Sequence, residues 1–144
     1  MLDHDDTFWM RMAIDMAKEG KTPFGAVLTD AEGGYLAGFN TTILHGATAH
    51  AEINVIRRMH ELDYDQPTEL TLYSTVEPCA MCMGAVLWAG IGTVIYGASI
   101  ADAANSMKQI MLTSEQVNNA AWYNVTIKGG VEREACIQLI NRGK

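Results

Sequence analysis

Positive charge is scarce in this chain. Lys plus Arg number 10 against 17 Asp plus Glu, a formal net charge of −7, and no run of basic residues offsets that total locally. Phosphate contacts supply most of the affinity of proteins that grip nucleic acid, so composition argues against nucleic acid as a partner. Long apolar stretches are missing too: nothing approaches the run of about 18 residues that a membrane helix needs. The N-terminus Met1-Leu2-Asp3-His4-Asp5-Asp6 is acidic where a secretory signal is basic and then apolar. The expectation is a cytoplasmic protein with no membrane contact. Cysteine is limited to three residues, and with two of them, Cys79 and Cys82, read as metal ligands only Cys136 is left, so no disulfide framework is available. Repeats, low-complexity tracts and an obvious linker are all lacking.

What is present fits one domain spanning residues 1–144. A chain of 144 residues, 49% of them hydrophobic, is long enough to bury about two thirds of its unfolded surface.

Two short stretches carry the chemistry. In Pro78-Cys79-Ala80-Met81-Cys82 the cysteines are three apart, so a helix starting there puts both on one face, and Pro78 suits a helix's first turn. The positive end of that helix favours thiolate over thiol, and so metal ligation. A redox pair of the thioredoxin-like kind has the same spacing, but explains neither Glu77-Pro78 nor His50-Ala51-Glu52 upstream. The latter lies where a second helix starts, with Thr48 as cap and Ile53, Ile56 and Met59 as its apolar stripe. Alone, His50 reads as a packed or solvated residue and Glu52 as a first-turn acid that complements the helix dipole. With the cysteines added, the parts are those of a zinc site with an open fourth position. His50, Cys79 and Cys82 are its ligands, and Glu52 stands near the open position without occupying it, as a general acid and base must. Glu77 either orients the metal shell or caps the helix.

Periodicity and turn signals predict an α/β fold. Asp6 or Thr7 caps a helix through Lys18, with Trp9, Met12, Ala13 and Met16 inward and Gly20 as its stop. Strands at 25–29 and 35–40 flank the hairpin signal 30–34. The His50 helix runs to about Leu62. A buried strand at 70–75 enters the cysteine helix, which continues to about Ala89 and leads to a strand at 94–97. Strand, helix and strand of these lengths form a parallel crossover, whose ligand sites lie at strand C-terminal ends. Residues 100–111 are helical in part, 113–121 less distinctly so. A strand over 122–128 and a helix over 131–141 follow, with Ala135, Leu139 and Ile140 inward and Cys136 a small buried hydrophobe. The segment 83–89 is apolar nearly all round, which suits deep burial or a partner subunit.

The two motifs form the signature by which zinc-dependent nucleobase deaminases are recognised. With Phe8-Trp9-Met10, Thr22 to Val27, Thr48 to Glu52, and Thr75 through Gly97, the chain resembles the cytidine/deoxycytidylate deaminase superfamily. The likeness is to the branch of bacterial tRNA adenosine deaminases and guanine deaminases, and it covers roughly Phe8 to Asn141. It implies a three-layer α/β/α cytidine deaminase-like fold with a mixed sheet of about five strands, Zn2+ as cofactor, and a homodimer. It also implies that Asn40 hydrogen-bonds the base or its sugar, that Phe24 shapes the pocket wall, and that Trp88 packs on the base. Helix-end geometry adds the Ala51 N–H as a group that orients water or substrate. His45 and His60 are left to surface or packing roles.

The chain departs from both branches. Residues 102–109 lack the acidic Gly-Phe-Asp-Asp run of the guanine branch. Ala47 stands where the tRNA branch has proline, and residues 100–106 replace its Gly-Ala-rich loop. The expected activity is hydrolytic deamination of a free nucleobase, nucleoside or related amino-heterocycle, guanine-like or cytosine-like, with release of ammonia. The alternatives are tRNA adenosine deamination and, from another class, a non-catalytic zinc-binding interaction protein, against which an unligated Glu52 argues.

Overall fold

Strands β1 (Gly25–Thr29), β2 (Tyr35–Phe39), β3 (Thr71–Val76), β4 (Thr93–Ala98) and β5 (Thr126–Lys128) form one sheet in the order β2-β1-β3-β4-β5. The computed structural model describes residues 4–142. β1 pairs antiparallel with β2 and β3, whereas β3, β4 and β5 run parallel. The mixed sheet thus has the five strands expected.

Alternation along the central strands feeds two cores. Val27, Tyr73 and Ile95 face helices α1 (Asp6–Gly20) and α7 (Arg133–Asn141), where they meet Met10, Ala13, Ala17, Cys136, Leu139 and Ile140. Their neighbours Ala26, Leu28, Leu72 and Val94 face α3 (Ala51–Ile56) and α4 (Ala80–Ala89), where they meet Val55, Met83, Val86 and Leu87. Period-two side chains with both faces covered give the three layers.

Several boundaries differ from the sequence-based ones for tertiary reasons. The cap of α1 is Asp5, whose carboxylate accepts the Phe8 N–H at 2.9 Å. The left-handed position falls on Lys21 (φ 59°) rather than Gly20. Gly20 remains inside the helix, where a Cβ would collide with the Phe39 ring. The buried stripe of α1 is Trp9, Met10, Ala13, Ile14 and Ala17, with Met12 and Met16 only half-buried. α3 ends at Ile56, well short of Leu62. A 3₁₀ turn at Met59–Glu61 follows, and the Asp30 carboxylate of the β1–β2 hairpin takes the Asp63 N–H at 3.0 Å.

β5 starts at Thr126 instead of Trp122. The Asn118 amide, on α6 (Ser114–Asn119), pairs with both backbone groups of Val125 at 2.9 Å and so removes that residue from the sheet ladder. Helix α5 spans only Ile100–Ala104, opened by a capping box between Ser99 and Asp102. A short helix absent from the sequence reading, α2 (Thr42–His45), follows β2.

Candidate active site

The ends of two elements place the chemistry. β3 delivers Glu77-Pro78-Cys79 to its C-terminal end, and α4 begins at Ala80 with Cys79 as its cap residue (φ −67°, ψ 174°). α3 begins at Ala51 with His50 as its cap residue (φ −69°, ψ 157°). The caps are therefore Cys79 and His50 themselves: Thr48 is not the cap, and Pro78 precedes the helix rather than lying in its first turn. Neither side chain makes a capping hydrogen bond to the first turn of its own helix; both are free to meet Cys82, on the first turn of α4.

The result is a three-donor cluster. His50 Nδ1 lies 3.7 Å from Cys79 Sγ and 3.6 Å from Cys82 Sγ, and all three ligand atoms lie within 4.8 Å of one another. A tetrahedral zinc with Zn–S of about 2.3 Å and Zn–N of about 2.05 Å separates an S and an N ligand by about 3.6 Å. The two nitrogen–sulfur separations match the edges of that tetrahedron, and the three residues present leave a fourth position unfilled. A hydrogen bond from Cys82 and the neighbouring His50 pull the Cys79 thiol down to about 4, so it stands ready as a thiolate. Hydrogen bonding with Cys79, with its negative charge as a lesser cause, raises His50 above its ordinary value, and hydrogen bonding with Cys79 together with burial raises Cys82.

Glu52 is buried on the first turn of α3. Burial pushes its carboxyl up to about 7, and the Cys79 charge works in the same direction. His50, its own backbone N–H and Ser74 oppose that rise. A carboxyl poised near neutrality can both take and give a proton.

A cavity of about 310 Å³ opens over these groups, lined in part by Phe24, Asn40, His50, Glu52, Glu77 and Cys79. Asn40 has a defined polarity there. Its Oδ1 accepts the Thr42 N–H at 3.0 Å and the Thr42 hydroxyl at 2.9 Å, which also starts α2. The Nδ2 donors are left for the cavity. Ala51 is buried beneath the site, and its N–H belongs to the first turn of α3, where helical partners are lacking.

Trp88 requires a correction. It lies about 9 Å along α4 from Cys82, six residues at 1.5 Å each, and is 82% exposed. It packs on Trp122 with centroids 5.1 Å apart and lines a surface groove with Tyr123, away from the cavity. The buried seam of α4 runs through Cys82, Met83, Val86 and Leu87, and Trp88 falls off it. His45 is exposed with Nδ1 2.9 Å from Thr41 Oγ1, and His60 is exposed on the 3₁₀ turn. Cys136 is buried as expected.

Sequence reasoning missed one wall. Met107, Lys108, Gln109 and Ile110 line the cavity from a segment between α5 and α6 that has no regular structure. Glu77, expected to serve the metal shell or its own helix, instead bonds the first residues of α5 and α6. Its place just before Pro78-Cys79 was the available signal.

A mixed sheet between helices, with three soft and borderline donors beside a buried carboxyl, defines a zinc hydrolase. The family model for the cytidine and deoxycytidylate deaminase zinc-binding region matches residues 3–98. The tRNA-specific adenosine deaminase of Buchnera aphidicola subsp. Schizaphis graminum is 30% identical over 149 residues, covering 98% of this chain and 95% of that one. The guanine deaminase of Bacillus subtilis is 38% identical over 109 residues, covering 70% and 69%. The solved guanine deaminase from Nitrosomonas europaea superposes with a TM-score of 0.81 at 21% identity, over 99% of this chain and 86% of that one, a likeness of fold. The chain belongs to the zinc-binding cytidine and deoxycytidylate deaminase family and is a hydrolytic deaminase. His50, Cys79 and Cys82 are the residues positioned to bind its zinc.

Proposed function

We propose that this enzyme deaminates a free nucleobase, nucleoside or related amino-heterocycle, a guanine-like purine or a cytosine-like pyrimidine, and releases ammonia. The observation that carries this reading is the buried Glu52 carboxyl in the same small cavity as His50 and Cys79, two members of the three-donor cluster that Cys82 completes. Bound zinc supplies Lewis acidity and an activated water. Glu52 would take one proton from that water and pass it to the ring nitrogen, then take the second from the hydroxyl left on the ring carbon and pass it to the amine, which departs as ammonia while the carbonyl forms. Asn40 Nδ2 donates to a carbonyl oxygen or ring nitrogen of the substrate, Phe24 provides a flat wall, and the Ala51 N–H orients water or substrate. A closed interaction site has no use for a proton carrier, so Glu52 also argues against a non-catalytic zinc protein.

The test is ammonia release from guanine, cytosine, isocytosine, adenine, their nucleosides and triazine analogues, with Glu52→Ala as control. Turnover of at least one compound, abolished in the variant, is expected. Unchanged turnover in Glu52→Ala would remove the mechanism.

One observation favours a second reading, tRNA adenosine deamination. Lys18, Lys21 and Arg142, distant in sequence, line one cavity of about 170 Å³ beside Pro23, so the fold assembles a basic cluster that composition does not reveal. Inosine formed in a tRNA anticodon stem-loop, with no turnover of free bases, would establish that reading instead. The net charge of −7 supports the small-molecule substrate. A homodimer in the cytoplasm completes the proposal. Exposed Trp88 and Trp122 support association, and no helix among the described residues is long and apolar enough to cross a membrane.

A further inference from the structure

Residues 105–113, between α5 and α6, carry no helix or strand, yet four of them line the catalytic cavity. Their backbone bonds are local. Ser106 and Met107 N–H reach back to Ala103 at 3.0 Å, Leu112 N–H bonds Ile110 at 2.9 Å, and Thr113 N–H bonds the Gln116 side chain at 2.8 Å. Met107 also packs against the α1/α7 core. Among the described residues, no bond of this kind ties 108–112 to another element.

The ends of the segment are tied by one side chain. Glu77 is buried. One of its oxygens accepts the Ile100 N–H at 2.9 Å, and the other accepts the Ser114 N–H at 2.7 Å and the Ser114 hydroxyl at 2.6 Å. Ile100 and Ser114 open α5 and α6, where N–H groups lack helical partners and a negative charge is favoured. Charge-assisted bonds of this length are the strong ones. Both ends of the wall are therefore pinned two residues before a zinc ligand, at the end of β3.

We propose that Glu77 is a positioning residue for the deamination. By holding the starts of α5 and α6 it keeps residues 107–110 in place as the cavity wall, and so governs how tightly the heterocycle is held rather than how fast it reacts. This rests on the deaminase reading of the cavity. The reacting groups sit on α3 and α4, so loosening the wall alters substrate binding and leaves proton transfer and metal ligation alone. Such a change appears in KM and not in kcat.

The decisive variant is Ser114→Pro, which removes both donors without touching Glu77 or the zinc ligands. Proline is accepted at the first position of a helix, and Thr113 (φ −73°, ψ 157°) already has the conformation that proline imposes on its predecessor. Glu77→Gln is the companion, and Ser114→Thr, which keeps both donors, the conservative control. Each zinc-loaded protein is measured for metal content, for hydrogen exchange in peptides covering 105–113, and for KM and kcat on the compound that wild type turns over.

Ser114→Pro and Glu77→Gln are expected to exchange at least about tenfold faster in that segment alone, at its hydrogen-bonded Ser106, Met107 and Thr113 N–H groups. KM should rise about tenfold with kcat within about twofold and zinc unchanged, and Ser114→Thr should match wild type. Unaltered exchange in 105–113 of Ser114→Pro would overturn the proposal. So would a joint fall of zinc content, kcat and melting temperature in that variant, which would make the contact one of general stability. Wild type that turns over no compound while the exchange effect persists would remove the deaminase reading and keep the pinning of the wall.

Discussion

Asn40 shows how a single hydrogen-bond polarity narrows a substrate. Thr42 occupies the amide oxygen, so Asn40 has N–H donors to offer the cavity, and on the proposed reading the substrate edge that meets them is an acceptor. Asn40→Asp keeps the oxygen that starts α2 and withdraws the donors. It should raise KM by about tenfold or more, the scale of a lost or repelled polar contact, with the circular dichroism spectrum unchanged. Glu52→Gln keeps volume and abolishes proton exchange, so kcat should fall by about 10²- to 10⁴-fold, the range of general acid–base catalysis. Single-turnover ammonia release would check it, with metal analysis confirming that zinc remains bound. The zinc ligands and Glu52 were readable from spacing because each lies within one turn of a helix start. Glu77 was not, because its partners lie 23 and 37 positions further along the chain.

At the scale of elements, short segments are defined by side chains that answer for a neighbour's backbone. Asn118 occupies both backbone groups of buried Val125, and this sets where β5 begins. Asn118→Ala would leave those groups unpaired at about 1–3 kcal/mol each, so a loss of at least about 2 kcal/mol is expected in urea unfolding.

The α5–α7 contact makes a pH prediction. Arg133 holds the Asp102 carboxyl down to about 2, helped by the Ser99 N–H, and pairs with it at 2.8 Å. A folded-state value below the unfolded one gives stability that is present above about pH 4, the ordinary carboxylate value, and is lost as pH falls toward 2. Arg133→Ala should therefore be less stable than wild type at pH 6, with the difference shrinking between about pH 4 and pH 2. The pair is half exposed, so the effect will be modest and salt-sensitive. Thermal melts across that range would measure it.

Across the whole molecule, exposed apolar surface is concentrated on a few residues. Trp88 and Trp122 are 82% and 67% exposed and pack on each other, while Ile43 and Leu44 on α2 stand almost free. If the tryptophan surface joins two copies, the double variant Trp88→Asp, Trp122→Asp will sediment as a monomer at micromolar concentration where wild type sediments as a dimer. An unchanged sedimentation coefficient would place the interface elsewhere or remove it. Charge behaves similarly at this scale. A chain of net −7 still gathers Lys18, Lys21 and Arg142 around one cavity, because the C-terminal ends of α1 and α7 meet there.

Sequence alone determined the donor set, the carboxyl beside it, the alternation that feeds two cores, and the order of the five strands and of the helices other than α2 along the chain. All of these are local: they depend on residues within a helical turn or along one strand, where spacing dictates which side chains share a face. Only the tertiary structure decided that residues 107–110 form a wall, that Glu77 pins its ends, that Trp88 lies outside the cavity, and that β5 waits until Thr126. Each of those outcomes depends on a hydrogen bond or a packing contact between segments far apart in the chain. No periodicity encodes such a contact, because it exists only once the sheet has brought the segments together.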